Sequence, residues 1–139
     1  MSKPFEVGMT RELKIHTQPD QSARVFYSNL PDVFATPFLA GLMERVSAEL
    51  INENLDPGEQ SVGISMSLKH IAATPLGMEV RVKTRISAVE GRKLTFSLEA
   101  FDDVEKIGEA IHERFIIQAE KFNARVADKA VKDRLARSA

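Results

Sequence analysis

Three side chains stand out for the chemistry their types permit: His70, Glu44 and Thr36. Imidazole titrates near neutral pH, so a histidine held by a carboxylate can act as general base toward water or a hydroxyl. His70 closes a run in which Val62, Ile64, Met66 and Leu68 alternate with polar residues, and this two-residue period turns it toward the apolar side of its strand. A lone inward histidine also fits a core residue with one satisfied hydrogen bond; a partner is what would give it a reaction. Glu44 is the candidate partner, about 140° around a helix from the Leu39, Met43 and Leu50 stripe. As a surface charge beside Arg45 it needs no special reading. If it is buried among Ala40, Ala48 and Ile51, it must be paired or hydrogen-bonded, because an isolated ionised carboxylate is very costly in a low dielectric. Thr36 before Pro37 reads as a helix N-cap followed by proline at the first helical position. The same helix start offers backbone N–H groups able to polarise a carbonyl. Thr36 and Glu44 are separated by roughly 12 Å of axial rise, so they can flank a site without touching.

The elements that must hold these residues follow from hydrophobic period. Val7 to Ile15 reads as a first strand, and Thr17 to Pro31, with its Gln18-Pro19-Asp20 and Asn29-Leu30-Pro31 turns, as a structured loop or lid. From Pro37 the apolar residues Leu39, Leu42, Met43, Val46 and Leu50 fall on one helical stripe, while Ala40, Gly41, Ser47 and Ala48 leave the other side small. That is a central helix covered on more than one side, stopped by Asp56-Pro57-Gly58. Four strands are then expected in antiparallel succession: Val62 to Leu68, Val80 to Ile86, Leu94 to Ala100 after an Glu90-Gly91-Arg92 hairpin turn, and Ile107 to Phe122. A tail helix closes the chain over residues 122–139. Strands segregated around one long helix make an α+β fold, here as a single domain over residues 1–139.

Composition limits the functions available. The 139 residues suffice for one core, with 43% hydrophobic and 28% charged residues and a formal charge of −1. With a pI near 6.3 the chain lacks the basic footprint of a nucleic-acid or acidic-membrane binder, and a small-molecule partner fits better. The absence of cysteine removes disulfides, thiolate zinc sites and cysteine nucleophiles. Met1-Ser2-Lys3-Pro4-Phe5-Glu6 lacks a secretory apolar core and no run is long enough to span a membrane, so a cytoplasmic location is expected. His16 and His112 form no H-x-x-x-H or H-E-x-x-H pattern with His70, and no metal site is expected. Lys121, Arg125, Lys129 and Lys132 make one side of the tail basic, a solvated face or a surface for CoA phosphates.

At Phe34-Ala35-Thr36-Pro37, Leu42-Met43-Glu44 and Lys69-His70-Ile71-Ala72-Ala73-Thr74-Pro75-Leu76-Gly77 the chain resembles the fluoroacetyl-CoA thioesterase family of hot-dog proteins. Val89-Glu90-Gly91-Arg92 and His112-Glu113-Arg114 extend the likeness over Phe5 to Arg125. The resemblance implies a hot-dog fold, acyl-CoA hydrolysis, and Thr36, Glu44 and His70 as the catalytic set. It implies that Gly63 and Arg114 line the acyl and CoA region, that the protein is a homodimer with sites at the subunit interface, and that no cofactor is needed because CoA belongs to the substrate. In the lid, Val25-Phe26-Tyr27-Ser28-Asn29-Leu30 departs from the family: Tyr27 keeps an aromatic wall, but Leu30 stands where phenylalanine is expected, which points to a general small acyl group. Two other readings remain at this level. One is an enoyl-CoA hydratase on the same fold; such enzymes usually carry histidine and acid on one segment, whereas here they are 26 residues apart. The other is a non-catalytic acyl-CoA-binding module.

Overall fold

The computed structural model describes residues 4–138; residues 1–3 and 139, which the sequence reading places in the single domain and the tail helix, lie outside the described residues. Five strands form one antiparallel sheet: β1 (Thr10–His16), β2 (Glu59–His70), β3 (Glu79–Glu90), β4 (Lys93–Phe101) and β5 (Lys106–Gln118). Their order across the sheet is β1-β3-β4-β5-β2. Only β3, β4 and β5 follow one another as hairpins. The expected succession of four adjacent strands is therefore corrected: β2 pairs with β5, not β3, and residues 71–78 carry the chain across to β3. Local turn chemistry sets the two hairpins. Gly91 takes φ 63, a left-handed conformation that glycine adopts without penalty. Asp102 Oδ1 accepts the backbone N–H groups of Val104 and Glu105 at 2.8 and 2.9 Å, closing the second turn.

Helix α1 (Thr36–Asn52) lies in the concave face of the sheet. Its Leu39, Met43, Val46 and Leu50 stripe is buried against Val82, Ile86, Phe96, Leu98 and Ile107. Each such side chain contributes about 1.5–3 kcal/mol on burial. Deep between helix and sheet, Ser47 Oγ and Thr84 Oγ1 lie 2.9 Å apart, with both residues fully buried. Two short 3-10 turns, Pro19–Gln21 and Ala23–Val25, build the lid region between β1 and α1.

The last strand ends at Gln118, and helix α2 (Ala119–Ser138) starts there, earlier than the sequence period suggested. Ala119, Lys121 and Phe122 are helical although the alternating pattern runs on through them. No residue of α2 is buried.

The period of β2 also differs from its simple reading. Gly63 pairs with Arg114 and Ser65 with Glu113, so Ile64 is an extra residue in a β-bulge and is half exposed. Val62 pairs with the exposed Phe115 on the convex side. The inward set is consequently Ser61, Gly63, Met66, Leu68 and His70, opposite the inward Ile116, Arg114, His112, Ala110 and Gly108 of β5. An unbroken strand would put Gly63 and His70, an odd number of residues apart, on opposite faces; the bulge puts both on the helix side.

Candidate active site

The start of α1 and the end of β2 meet at the first of two polar clusters. Phe34 donates its backbone N–H to Thr74 O and Ala35 to Gln21 O, each at 3.0 Å, and the buried Phe34 ring anchors this entry. Ala35, in extended conformation, is the N-cap, and its carbonyl accepts from Phe38 and Leu39, both at 3.1 Å. Thr36 is thus the first helical residue and Pro37 the second, a shift of one position from the N-cap reading. The Thr36 hydroxyl, not used as a cap, lies 2.7 Å from His70 Nδ1. Both residues line an open cleft of about 250 Å³ with Ala23, Val33, Ile71 and Ala72.

His70 is half-buried, and burial holds its imidazole below the ordinary histidine value, opposed by the Ala72 backbone. Its Nε2 is buried and finds no hydrogen-bond partner among the described residues. Such an orphan costs about 1–3 kcal/mol unless another group reaches it.

Glu44 belongs to a second cluster. Its carboxylate lies 3.8 Å from Arg114 Nη1 and, in the single chain, the side chain is 53% exposed. It forms no contact with His70, so the expected histidine–carboxylate pair is absent within one chain. Arg114 is buried; its Nε donates to Ser61 Oγ at 3.0 Å and its Nη2 to Ser61 O at 3.1 Å. Burial lowers the guanidinium pKa, and Glu44 opposes that effect. A Cβ on Gly63 would stand 3.1 Å from Glu44 Oε1 and 3.2 Å from both Arg114 Nη1 and His112 Cε1, which explains glycine at this bulge position. Gly41, Ala48 and Arg45 open a shallow hollow of about 250 Å³ beside Glu44 and Arg114.

The two clusters are separated by roughly 20 Å along β2. Thr36 and His70 form one; Glu44, Gly63 and Arg114 form the other. Tyr27 and Leu30 lie in the lid, exposed at 63% and 39%, and neither lines the Thr36–His70 cleft of the single chain. The lid is held by Arg24 Nε donating to Leu30 O at 3.0 Å and by Phe26 packing on Phe38 with ring centroids 5.6 Å apart. The sequence reading missed His112, which is fully buried beside Arg114. Its signal was available: His112 and Arg114 alternate in phase with Ala110 and Ile116. Among the described residues no three His, Asp or Glu side chains gather as a metal site requires. Nor is any described helix long and apolar enough to cross a membrane.

Comparison with known proteins agrees with this architecture. A family model described as fluoroacetyl-CoA-specific thioesterase matches residues 17–120. The fluoroacetyl-CoA thioesterase of Streptantibioticus cattleyicolor is 44% identical over 103 residues, 74% of each chain. A solved structure of the fluoroacetyl-CoA thioesterase FlK superposes with TM-score 0.88 at 38% identity, covering 91% of this chain and 98% of that one. A thioesterase superfamily member from Thermus thermophilus superposes with TM-score 0.86 at 25% identity, covering 96% and 98%. With a helix cradled by the antiparallel sheet and a family match over most of its length, the chain belongs to the fluoroacetyl-CoA-specific thioesterase family and is a hot-dog thioesterase.

Proposed function

We propose that the protein hydrolyses small acyl-CoA thioesters at two composite sites of a homodimer, each uniting Thr36 and His70 of one protomer with Glu44, Gly63 and Arg114 of the partner subunit. The observation that carries this reading is the split of the site residues into two clusters on one face of β2. Strand β2 is an edge of the sheet, and its unpaired backbone groups are a template for a second strand. An antiparallel pairing of two β2 strands about an axis at Ser67 sets Met66 of one opposite Leu68 of the other and, with the bulged Ile64 left out of the count, residue 63 opposite residue 70. Glu44 of the partner subunit would then approach the buried, unpartnered Nε2 of His70. The small Gly41 and Ala48 surface would be covered in the same assembly.

In this arrangement a neutral His70 takes the proton from water or from the Thr36 hydroxyl, and its Nε2–H is held by the carboxylate. The activated oxygen adds to the thioester carbonyl, whose developing negative charge lies at the positive end of α1. Collapse breaks the C–S bond, the thiolate leaves as CoA after taking a proton, and the acyl group leaves as the free acid, directly or by hydrolysis of a Thr36 ester. No cofactor enters. Leu30 and Tyr27 face the acyl group on lid closure, and Leu30 in place of a phenylalanine favours a small unfluorinated acyl group. The cytoplasm, which holds CoA esters and keeps no demand for disulfides, is the compartment that fits. The named relatives are thioesterases, which favours hydrolysis over the hydratase and binding-module readings.

The test is thiol release from a panel of acyl-CoAs, with acetyl-CoA and fluoroacetyl-CoA as end members, followed by subunit complementation. Thr36→Ala and Glu44→Gln are each expected to be nearly inactive. Mixed and re-associated in equal amounts they should recover about a quarter of wild-type activity, because half of the dimers carry one unmodified site of two. Thiol release from no substrate ends the hydrolase reading, and complementation that stays at the sum of the two variants ends the shared site.

A further inference from the structure

His112 is fully buried, carries no role in the chemistry above, and sits at the centre of the Glu44 cluster. Its imidazole packs on Phe96 with ring centroids 6.2 Å apart, opposite Met66 across the β2–β5 ladder. Ser65 O lies 2.8 Å from Nδ1. A carbonyl oxygen only accepts, so Nδ1 carries the proton and donates to it. Arg114 Nη1 lies 3.1 Å from Nε2. A guanidinium only donates, so Nε2 offers a lone pair, and the two neighbours select the same neutral tautomer. Ser65 is the first residue after the bulge at Ile64, so the irregularity that turns Gly63 inward also supplies the carbonyl that orients His112.

From this geometry we infer that His112 is a positioning residue: with its tautomer set by the Ser65 carbonyl, it fixes through Nε2 the Arg114 guanidinium that faces Glu44. Three of the five Arg114 N–H groups are then assigned. Nε and Nη2 are held by Ser61 and one Nη1 proton by His112, which leaves Nη1 facing the carboxylate. The purpose is a carboxylate whose position survives in an otherwise half-open location, since the Glu44 side chain alone is free to sample rotamers. Burial keeps the His112 imidazole below its ordinary value; the Ser65 carbonyl works against that, Arg114 adds to it, and Glu44 and Glu113 oppose it more weakly. Two cations within hydrogen-bond distance in a buried site are unfavourable, which agrees with a neutral ring.

This inference rests on the proposed role of Glu44, and its test separates the two. In ¹⁵N-histidine NMR of the wild-type dimer, His112, identified by its loss in His112→Gln, is expected to show the Nδ1–H neutral pattern unchanged across neutral pH. That measurement stands whether or not the protein hydrolyses any ester. In acetyl-CoA hydrolysis, His112→Gln keeps one donor and one acceptor and should stay within about threefold of wild type, while His112→Leu should lower kcat by roughly 10- to 100-fold, as for loss of an orienting partner. KM should move less than kcat, and thermal melts check that both variants are folded. An Nε2–H tautomer or a protonated ring overturns the proposal even if the leucine variant does not fold, as does a folded His112→Leu with wild-type kcat. Absence of hydrolysis by the wild-type enzyme would instead strike at the proposed function.

Discussion

Thr36 Oγ1 and His70 Nδ1 lie 2.7 Å apart, joining the first turn of the helix to the last residue of an edge strand. The hydroxyl is released for this contact because Ala35, one residue earlier, ends the extended approach to α1. Replacing His70 by Ala removes the base and should lower kcat by about 10²- to 10⁴-fold. Thr36→Ala should lower it to a comparable degree, with Thr36→Ser recovering most of the rate. Because the two act as a unit, the double variant should be little worse than the worse single one. Steady-state acyl-CoA hydrolysis measures all four, and multiplicative losses would show that the pair does not cooperate.

Acidification should remove activity and stability in the same direction. His70 works as a base only when neutral, and burial holds its pKa below 6.5, so kcat/KM should be flat through neutral pH and fall below that value. For stability, the unfolded chain binds more protons than the native one wherever the native pKa is the lower. The contribution of neutral His70 and His112 is therefore present above 6.5 and lost as pH falls through their native values. Burial raises the Asp102 carboxyl, but the Val104 and Glu105 N–H groups and Thr74 outweigh it, so this contribution disappears only below 3.8. Melting temperature against pH should thus descend in two stages, the histidine stage absent in His70→Ala/His112→Gln.

Gly63→Ala puts a methyl group at 3.1–3.2 Å from Glu44 Oε1, Arg114 Nη1 and His112 Cε1. The backbone there has no positive φ, so the strand itself tolerates alanine. Glu44, more exposed than its neighbours, is the side chain able to yield. The expected outcome is a loss of about tenfold or more in kcat/KM, equivalent to about 1.4 kcal/mol of transition-state stabilisation, with a melting temperature close to wild type. A larger residue such as valine should deepen the kinetic loss, and an unaffected rate in both would show that this carboxylate has no fixed position to lose.

The buried Ser47–Thr84 hydroxyl pair is suited to a double-mutant cycle. Ser47→Ala leaves Thr84 Oγ1 without its partner and should cost about 1–3 kcal/mol, as should Thr84→Val. Combining them removes both polar groups, so the double variant should be more stable than the sum of the single losses by about 1 kcal/mol or more. Urea unfolding gives the coupling directly, and strict additivity would mean the two hydroxyls do not depend on one another.

Much of this molecule was legible because its periods are clean. The α1 stripe of Leu39, Met43, Val46 and Leu50, and the alternation of Val80, Val82, Thr84 and Ile86, each read correctly as one buried face. What failed were the places where a local rule competes with a tertiary one. Thr-Pro has the chemistry of a cap, yet Ala35 holds that position because Gln21 and Thr74 fix the chain before the helix begins. In β2 the alternation looks regular through Ile64, but a bulge is decided by pairing with β5, which no single-strand pattern contains. Sheet order was invisible for the same reason. His112 was readable from its phase with Arg114, yet the sequence pattern by itself assigned it no role. Glu44 was placed on the helix side away from the main stripe, but its expected pairing with His70 does not form within one chain, because the carboxylate lies beside Gly63 and Arg114, far along β2 from His70.

Helix α2 has a practical consequence for counting subunits. It holds no buried residue over 20 positions, a rod of about 30 Å attached near the Gly58 carbonyl by the Ala119 N–H. An appendage of that kind raises frictional drag out of proportion to mass. Gel-filtration volumes calibrated with spherical standards will report too large a particle, so a monomer can pass for a dimer and a dimer for a trimer. Stoichiometry here has to come from scattering or sedimentation equilibrium, where weight and not silhouette sets the signal.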